Sequence, residues 1–178
     1  INGTKNLFDW CKVNKPNTVI FTSSMAVYGP NSRNIKESDN CDPISFYGMS
    51  KLIGEKILLK LVEKNINVRI FRLFNVYGPG QNFDNLVQGM LSIYLAQILK
   101  TKKVLVTGSL NRARDFIFID DVVKAITSTK KKLNNDIFNV GTGTPVKVKN
   151  IINLLFKITK TKPKIIIAQG HAGDTNIS

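Results

Sequence analysis

The sequence predicts an α/β fold built on a parallel sheet, and three observations carry that prediction. Short apolar runs of strand length alternate with amphipathic stretches of about 12 or more residues. The runs are continuous rather than alternating in polarity, as in strands covered on both faces. Glycine- and proline-bearing breakers, such as Asn14-Lys15-Pro16 and Gly78-Pro79-Gly80, separate the segments.

Each element follows from its local pattern. Residues 2–14 read as a helix stopped by the breaker at Pro16. Thr18 to Thr22 (TVIFT) is a short strand of buried type. A polar loop with Gly29, Pro30, Asn31 and Pro43 leads to a long helix over 46–64, whose apolar face is Leu52, Ile53, Ile57 and Leu61. Val68 to Leu73 is the second strand, residues 85–100 a helix, and Lys103 to Val106 and Phe116 to Ile119 two further strands. Asp120 or Asp121 is placed to cap the helix that begins there. Ile137 to Val140 is a strand, 147–159 a helix and Lys164 to Ala168 the last strand. In such sheets a ligand lies beyond the carboxyl ends of the strands, which here carry Ser23-Ser24 and Phe74-Asn75.

Composition narrows the function classes. The 178 residues are 43% hydrophobic and 21% charged, which fits one globular domain or slightly more. No apolar run approaches the ~20 residues of a membrane span. No secretory-signal pattern appears in these residues. Two cysteines, Cys11 and Cys41, are too few for a disulfide scaffold and fit a reducing, cytoplasmic compartment. The net charge of +14 invites a nucleic-acid reading, but only five of the 26 basic residues are arginine (Arg33, Arg69, Arg72, Arg112, Arg114). Arginine is the preferred reader of base edges and phosphates, and the lysines are scattered. The densest run, Lys130 to Lys132, falls where a helix should end and cations are favoured. Solvated faces and an anionic small substrate are therefore the expectation.

Two constellations carry chemistry. Tyr47 and Lys51, four apart at the start of the long helix, share one face. An ammonium beside a phenol favours the phenolate, which suits Tyr47 to general acid–base work. A helix-start tyrosine with an exposed lysine is the plain alternative. Ser24, 23 residues earlier at the end of the first strand, could donate to an oxygen that Tyr47 also faces, or simply satisfy local backbone. Ser, Tyr and Lys together suit an alcohol–ketone interconversion, which needs a hydride acceptor and hence a nicotinamide.

The chain resembles the NAD-dependent sugar epimerase/dehydratase family of extended short-chain dehydrogenase/reductases, in its UDP-glucose 4-epimerase branch. The matching segments are Asn2-Gly3-Thr4, SSMAVYG at 23–29, PISFYGMSK at 43–51, RLFNVYGPGQ at 72–81, RDFIFIDDV at 114–122, FNVGTG at 138–143 and AGD at 172–174. The resemblance implies a partial doubly wound, Rossmann-like sheet with a smaller C-terminal substrate-binding lobe. Residues 1–76 would be the later part of the NAD-binding domain, and 77–178 a mixed region adding a further strand and the substrate lobe. It implies Ser24, Tyr47 and Lys51 as catalytic residues that also contact NAD, with Phe74 lining the nicotinamide pocket. Asn75, Asn85, Leu86 and Arg114 would bind the nucleotide-sugar, with no metal. The alternatives are a turn role for Asn75 and, for Arg114, a surface pair with Asp115, Asp120 or Asp121. A homodimer is implied through helices such as 1–14 and 46–64.

Departures from the family pattern refine this. Dehydratases place an Asp-Glu pair, and decarboxylases a glutamate, just after the catalytic hydroxyl. Met25 and Ala26 stand here and move no proton, which favours oxidation and return over elimination. A dehydratase, decarboxylase or reductase on the same scaffold is the enzymatic alternative, and a basic RNA-binding module the non-enzymatic one. His171 stands where epimerases carry a diphosphate-clamping arginine, and a lone loop histidine is more often exposed than a ligand. The family's opening strand and G-x-x-G-x-x-G turn have no counterpart in these residues; Gly141-Thr142-Gly143 lies far downstream. The chain is accordingly expected to be a fragment. Its strand at 18–22 would then form an exposed apolar edge, with weak NAD binding and a tendency to aggregate.

Overall fold

The computed structural model describes residues 1–29, 34–84, 89–127 and 136–169. Helix α1 (Asn2–Asn14) ends where Lys15 takes a left-handed conformation and returns its N–H to the Cys11 carbonyl. Strand β1 (Thr18–Ser24) follows, and then α2 (Phe46–Leu59) enters on a side-chain cap, the Ser45 Oγ accepting the Gly48 N–H at 3.0 Å. Strand β2 (Asn67–Leu73) runs parallel to β1, with Thr18 opposite Asn67 and Ser24 opposite Leu73.

The long helix expected over 46–64 is two pieces. α2 stops at Leu59, and a short 3-10 turn spans Val62–Lys64 before Asn65 turns left-handed. The reason is distance: the chain must reverse and enter β2 within a few residues while burying Leu61, and the tighter turn does both.

The second half contains β3 (Asn75–Tyr77), α3 (Met90–Thr101), β4 (Lys103–Thr107), β5 (Ala113–Arg114), β6 (Phe116–Phe118) and α4 (Ile119–Thr127). It closes with β7 (Ile137–Val140), β8 (Val146–Lys147), α5 (Val148–Thr159) and β9 (Lys164–Ala168). Ile119 belongs to α4, not to the preceding strand, so Asp120 and Asp121 sit in the first turn rather than at the cap. There their carboxylates face the positive end of the helix. The start of the helix expected over 85–100 lies outside the described residues; Gly89, at φ 86°, directly precedes α3.

The main sheet has the order β1-β2-β7, all parallel. β2 is its centre, buried from Val68 to Phe71, whereas Ile20 on β1 is 42% exposed. Among the described residues β1 pairs on one side only. Among the described residues there are three smaller pairings: β3 with β6 and β4 with β9, both parallel, and β5 with β8, antiparallel. β3, β5 and β8 have two or three residues each, too few to leave a periodic signal.

Three apolar clusters hold these layers. Cys11, Val19, Leu58, Leu61, Val68 and Ile70 pack α1 and α2 on one face of the sheet. Phe71, Ile117, Val122 and Val140 join the sheet to β6 and α4, with Phe71 stacked on Phe138 at 5.3 Å. Tyr94, Ile98, Val104, Val106, Ile152 and Leu155 bind α3 and α5 around β4. No helix among the described residues is long and apolar enough to cross a membrane.

Leu58 is fully buried in the α1–α2 cluster. Leu58→Ala is expected to lower unfolding stability by about 3 kcal/mol through lost burial and the cavity left behind. Urea denaturation of the variant against the parent measures it, and a loss within error of zero refutes this account of the cluster.

Candidate active site

A cleft of about 630 Å³ opens at the carboxyl ends of β1 and β2, and its lining includes Ser24, Tyr47, Lys51, Phe74 and Asn75. Five of the residues singled out in the sequence therefore meet in one place. Ser24 is the last residue of β1, and its Oγ accepts the Ala26 N–H at 3.2 Å, capping the 3-10 turn Met25–Val27. That local bond uses the oxygen as acceptor and leaves the hydroxyl proton to donate. Both readings of Ser24 are thus compatible with one conformation.

Tyr47 is the second residue of α2 and is 49% exposed at the cleft. Lys51, one turn on, donates from Nζ to the Thr22 carbonyl at 2.9 Å. Its ammonium also lies 5.1 Å from the Phe21 ring and 5.7 Å from the Tyr47 ring. Burial holds Lys51 below the ordinary lysine value. This arrangement depends on a close backbone approach. A Cβ at Gly48 would stand 2.4 Å from the Ala26 carbonyl oxygen and 3.0 Å from the Pro43 Cβ.

The opposite wall comes from the β2–β3 junction. The Phe74 N–H donates to the Val140 carbonyl at 3.0 Å, continuing the sheet for one residue. Asn75 opens β3 rather than a turn, and both its N–H (3.1 Å) and its Nδ2 (2.8 Å) donate to the Asp115 carbonyl. With the amide nitrogen so engaged, Oδ1 is left as an acceptor.

Arg114 lies in the interior of the second half. It is 6% exposed in β5, is not part of the cleft lining, and donates from Nη1 to the Ala113 carbonyl at 3.0 Å. A solvent-exposed pair does not describe Arg114, which lies on the buried strand β5 that pairs with β8. Asn85 and Leu86, and the C-terminal His171 with Ala172-Gly173-Asp174, lie outside the described residues.

Sequence reasoning missed Asp115. It is 4% exposed, and its carboxylate accepts the Thr142 N–H at 2.9 Å, the Thr142 hydroxyl at 2.6 Å and the Gly143 N–H at 2.8 Å. One residue therefore anchors Asn75 through its carbonyl and the 141–143 loop through its side chain. Gln81, also at the cleft, is held by the Ser92 hydroxyl at 2.6 Å. Neither has a local signature, because the partners are distant in sequence.

The NAD dependent epimerase/dehydratase family matches residues 1–141. A dTDP-4-dehydro-6-deoxyglucose reductase of Escherichia coli is 34% identical over 161 residues, covering 88% of this chain and 49% of its own length. The structure of a UDP-glucose 4-epimerase of Thermotoga maritima with UDP-glucose superposes with a TM-score of 0.93 at 29% identity, over 100% of this chain and 59% of that one. A UDP-glucuronic acid 4-epimerase of Bacillus cereus, solved with UDP-glucuronic acid and NAD, gives 0.86 at 30% identity, over 98% and 56%. The chain spans about half the length of the curated relatives it matches.

The Gly48 contact yields a test of the site's geometry. In an open helix Gly→Ala gains about 1 kcal/mol. Here the added methyl group meets a backbone oxygen, and Gly48→Ala is expected to cost about 1–2 kcal/mol instead. A thermal or urea midpoint that rises in this variant contradicts the close approach of α2 to the 3-10 turn.

Proposed function

The chain belongs to the NAD-dependent epimerase/dehydratase family, and from that premise we propose that the protein is a nucleotide-sugar 4-epimerase with NAD as its cofactor. The substrates proposed are UDP-glucose and UDP-galactose or their N-acetylhexosamine equivalents. The observation that carries this reading is the convergence of Ser24, Tyr47 and Lys51 on one cleft with Phe74 and Asn75 opposite.

The donor set suits a nicotinamide nucleotide. Lys51 spends one of its donors on Thr22 and has others for ribose hydroxyls, while Phe74 gives an apolar surface for a ring. When bound, NAD supplies the acceptor for the hydrogen at C4 of the sugar and gives it back. The protein's own groups move the proton. Tyr47, as phenolate, takes the proton of the sugar 4-hydroxyl and later returns it to the same oxygen. Ser24 donates to that oxygen and holds it between the two groups. Lys51 lies over the Tyr47 ring and, through the Thr22 carbonyl, holds the start of α2 on β1. Asn75 offers its Oδ1 to a hydroxyl or N–H of the substrate. Isomerisation with no net redox change would require the sugar to present its other face in the same cleft while Ser24 and Tyr47 keep hold of its oxygen.

Met25 and Ala26, following Ser24, carry no group that could protonate a departing hydroxyl, which favours epimerisation over dehydration. On this reading residues 1–76 belong to the NAD domain, and 77–178 supply β7 and the substrate side. The exposed Trp10 and Val13 of α1 and Met49 and Ile53 of α2 support association of two copies of this chain. The similarity to a reductase keeps a second reading open to the same assay: an epimerase interconverts two sugars at constant NADH, whereas a reductase consumes it.

In the full-length protein, Tyr47→Phe is expected to lower kcat for the nucleotide-sugar by about 10² or more. Near-parental turnover in that variant removes Tyr47 from the mechanism. The depressed Lys51 gives a second expectation. Its ammonium loses its proton below the ordinary lysine value of about 10.4, so kcat is expected to fall on the alkaline side before that pH is reached. The desolvation cost is present while Lys51 is charged in both states and is relieved as pH rises through that window. A profile flat to the ordinary lysine value contradicts a role for the ammonium.

A further inference from the structure

Two buried charges have no part in the mechanism above. Glu55 of α2 is 1% exposed and Arg72 of β2 is 3% exposed. They form a bidentate pair, Arg72 Nη2 to Glu55 Oε2 at 2.7 Å and Nε to Oε1 at 3.1 Å. The Ser23 hydroxyl donates to Glu55 Oε1. Arg72 Nη1 reaches the Tyr28 hydroxyl at 2.7 Å and the Glu37 carbonyl at 3.3 Å. The Tyr28 hydroxyl passes on to Asn139 Oδ1 of β7 at 2.7 Å. Resting on the proposed function, we infer that the Glu55–Arg72 pair, acting through Ser23, is a positioning device that fixes α2 against β1 and so sets Tyr47 against Ser24.

The placement carries the inference. Tyr47, Lys51 and Glu55 recur at intervals of four and share one face of α2. Lys51 holds the Thr22 carbonyl and Glu55 holds the Ser23 side chain. Two successive turns of the helix therefore grip the two residues of β1 that immediately precede Ser24. Ser23 lies opposite Arg72 in the β1–β2 register, so both side chains leave the same face of the sheet and both meet one carboxylate. The helix is thereby pinned to two strands at a single point, two turns below Tyr47.

A purely structural pair would behave differently from a positioning one. Removing one partner strands a buried charge, but replacing both by apolar groups of similar volume often restores stability. Stability recovered without turnover is the mark of positioning.

The test uses the full-length protein with NAD, and two variants: Ser23→Ala, and the double substitution Glu55→Met with Arg72→Met. Readouts are kcat and KM for UDP-glucose, the thermal midpoint, and amide hydrogen exchange over residues 46–52 with 90–101 as control. Ser23→Ala is expected to lower kcat about tenfold with KM changed less than about threefold, since orientation rather than ground-state binding is lost. Exchange over 46–52 should quicken while 90–101 is unchanged. The double variant is expected to melt near the parent and still show the kcat loss. A double variant that recovers both stability and kcat overturns the inference, as does Ser23→Ala with unaltered exchange over 46–52. Should the double variant not fold, Ser23→Ala decides. Should the parent turn over no nucleotide-sugar, the proposed function fails, and the exchange comparison in Ser23→Ala judges the positioning separately.

Discussion

The site depends on α2 lying within backbone contact of the carboxyl end of β1. Ordinary side-chain packing would hold a helix farther off. Glycine at two positions permits the approach: a Cβ at Gly48 would strike the Ala26 carbonyl, and one at Gly54 would stand 2.9 Å from the Phe21 ring. Each glycine costs a helix about 1 kcal/mol relative to alanine, so the helix surrenders intrinsic stability to come close. The Ser45 cap, the Lys51–Thr22 bond and the burial of Leu58 offset that cost. Closeness in turn makes the chemistry possible, because a hydroxyl on a strand end and a phenol on a helix start can then face one substrate oxygen.

Buried arginine accounts for an odd feature of the composition. Arg69, Arg72, Arg112 and Arg114 are each 9% exposed or less, so among the described residues the outward positive charge is carried by lysine. For Arg72, burial alone would favour the neutral form. Hydrogen bonds to Glu55 and Tyr28, and the Glu55 charge, outweigh it and hold the guanidinium more firmly charged than usual. A planar fork that satisfies a carboxylate, a phenol and a carbonyl at once suits this interior position better than an ammonium would. Lysine, strongly hydrated, is exposed at every described position except Lys51.

Much of this was legible in the sequence, for identifiable reasons. β2 is buried on both faces, so its apolar run stands out, and the Tyr47–Lys51 spacing is a helical spacing that survives folding unchanged. What was not legible depends on contacts between distant segments. Asp115 earns its place through partners 27 and 28 residues away, and β5 and β8 exist only because they pair with each other. For Arg114, given as a nucleotide-sugar contact with a surface pair as the alternative, sequence proximity to Asp115 says nothing about the burial that a short strand imposes. Glu55 stood in plain view one turn beyond Lys51, but its significance needed a strand contributed by residues 67–73.

Two anchors therefore govern the two walls of the cleft, and they share β2. On one wall, Arg72 and Ser23 receive Glu55 and fix the helix that bears Tyr47. On the other, Asp115 takes both donors of Asn75 and ties down the 141–143 loop, against which Phe74 packs closely enough that a Cβ at Gly141 would lie 3.1 Å from its ring. Arg72 and Phe74 are two residues apart on the same strand and its continuation, so displacement of β2 would move both walls together. Among the described residues, both of these walls are thereby tied to strands of the fold. Such a frame suits a reaction in which the substrate must turn over inside the site while the groups that remove and return its proton stay fixed.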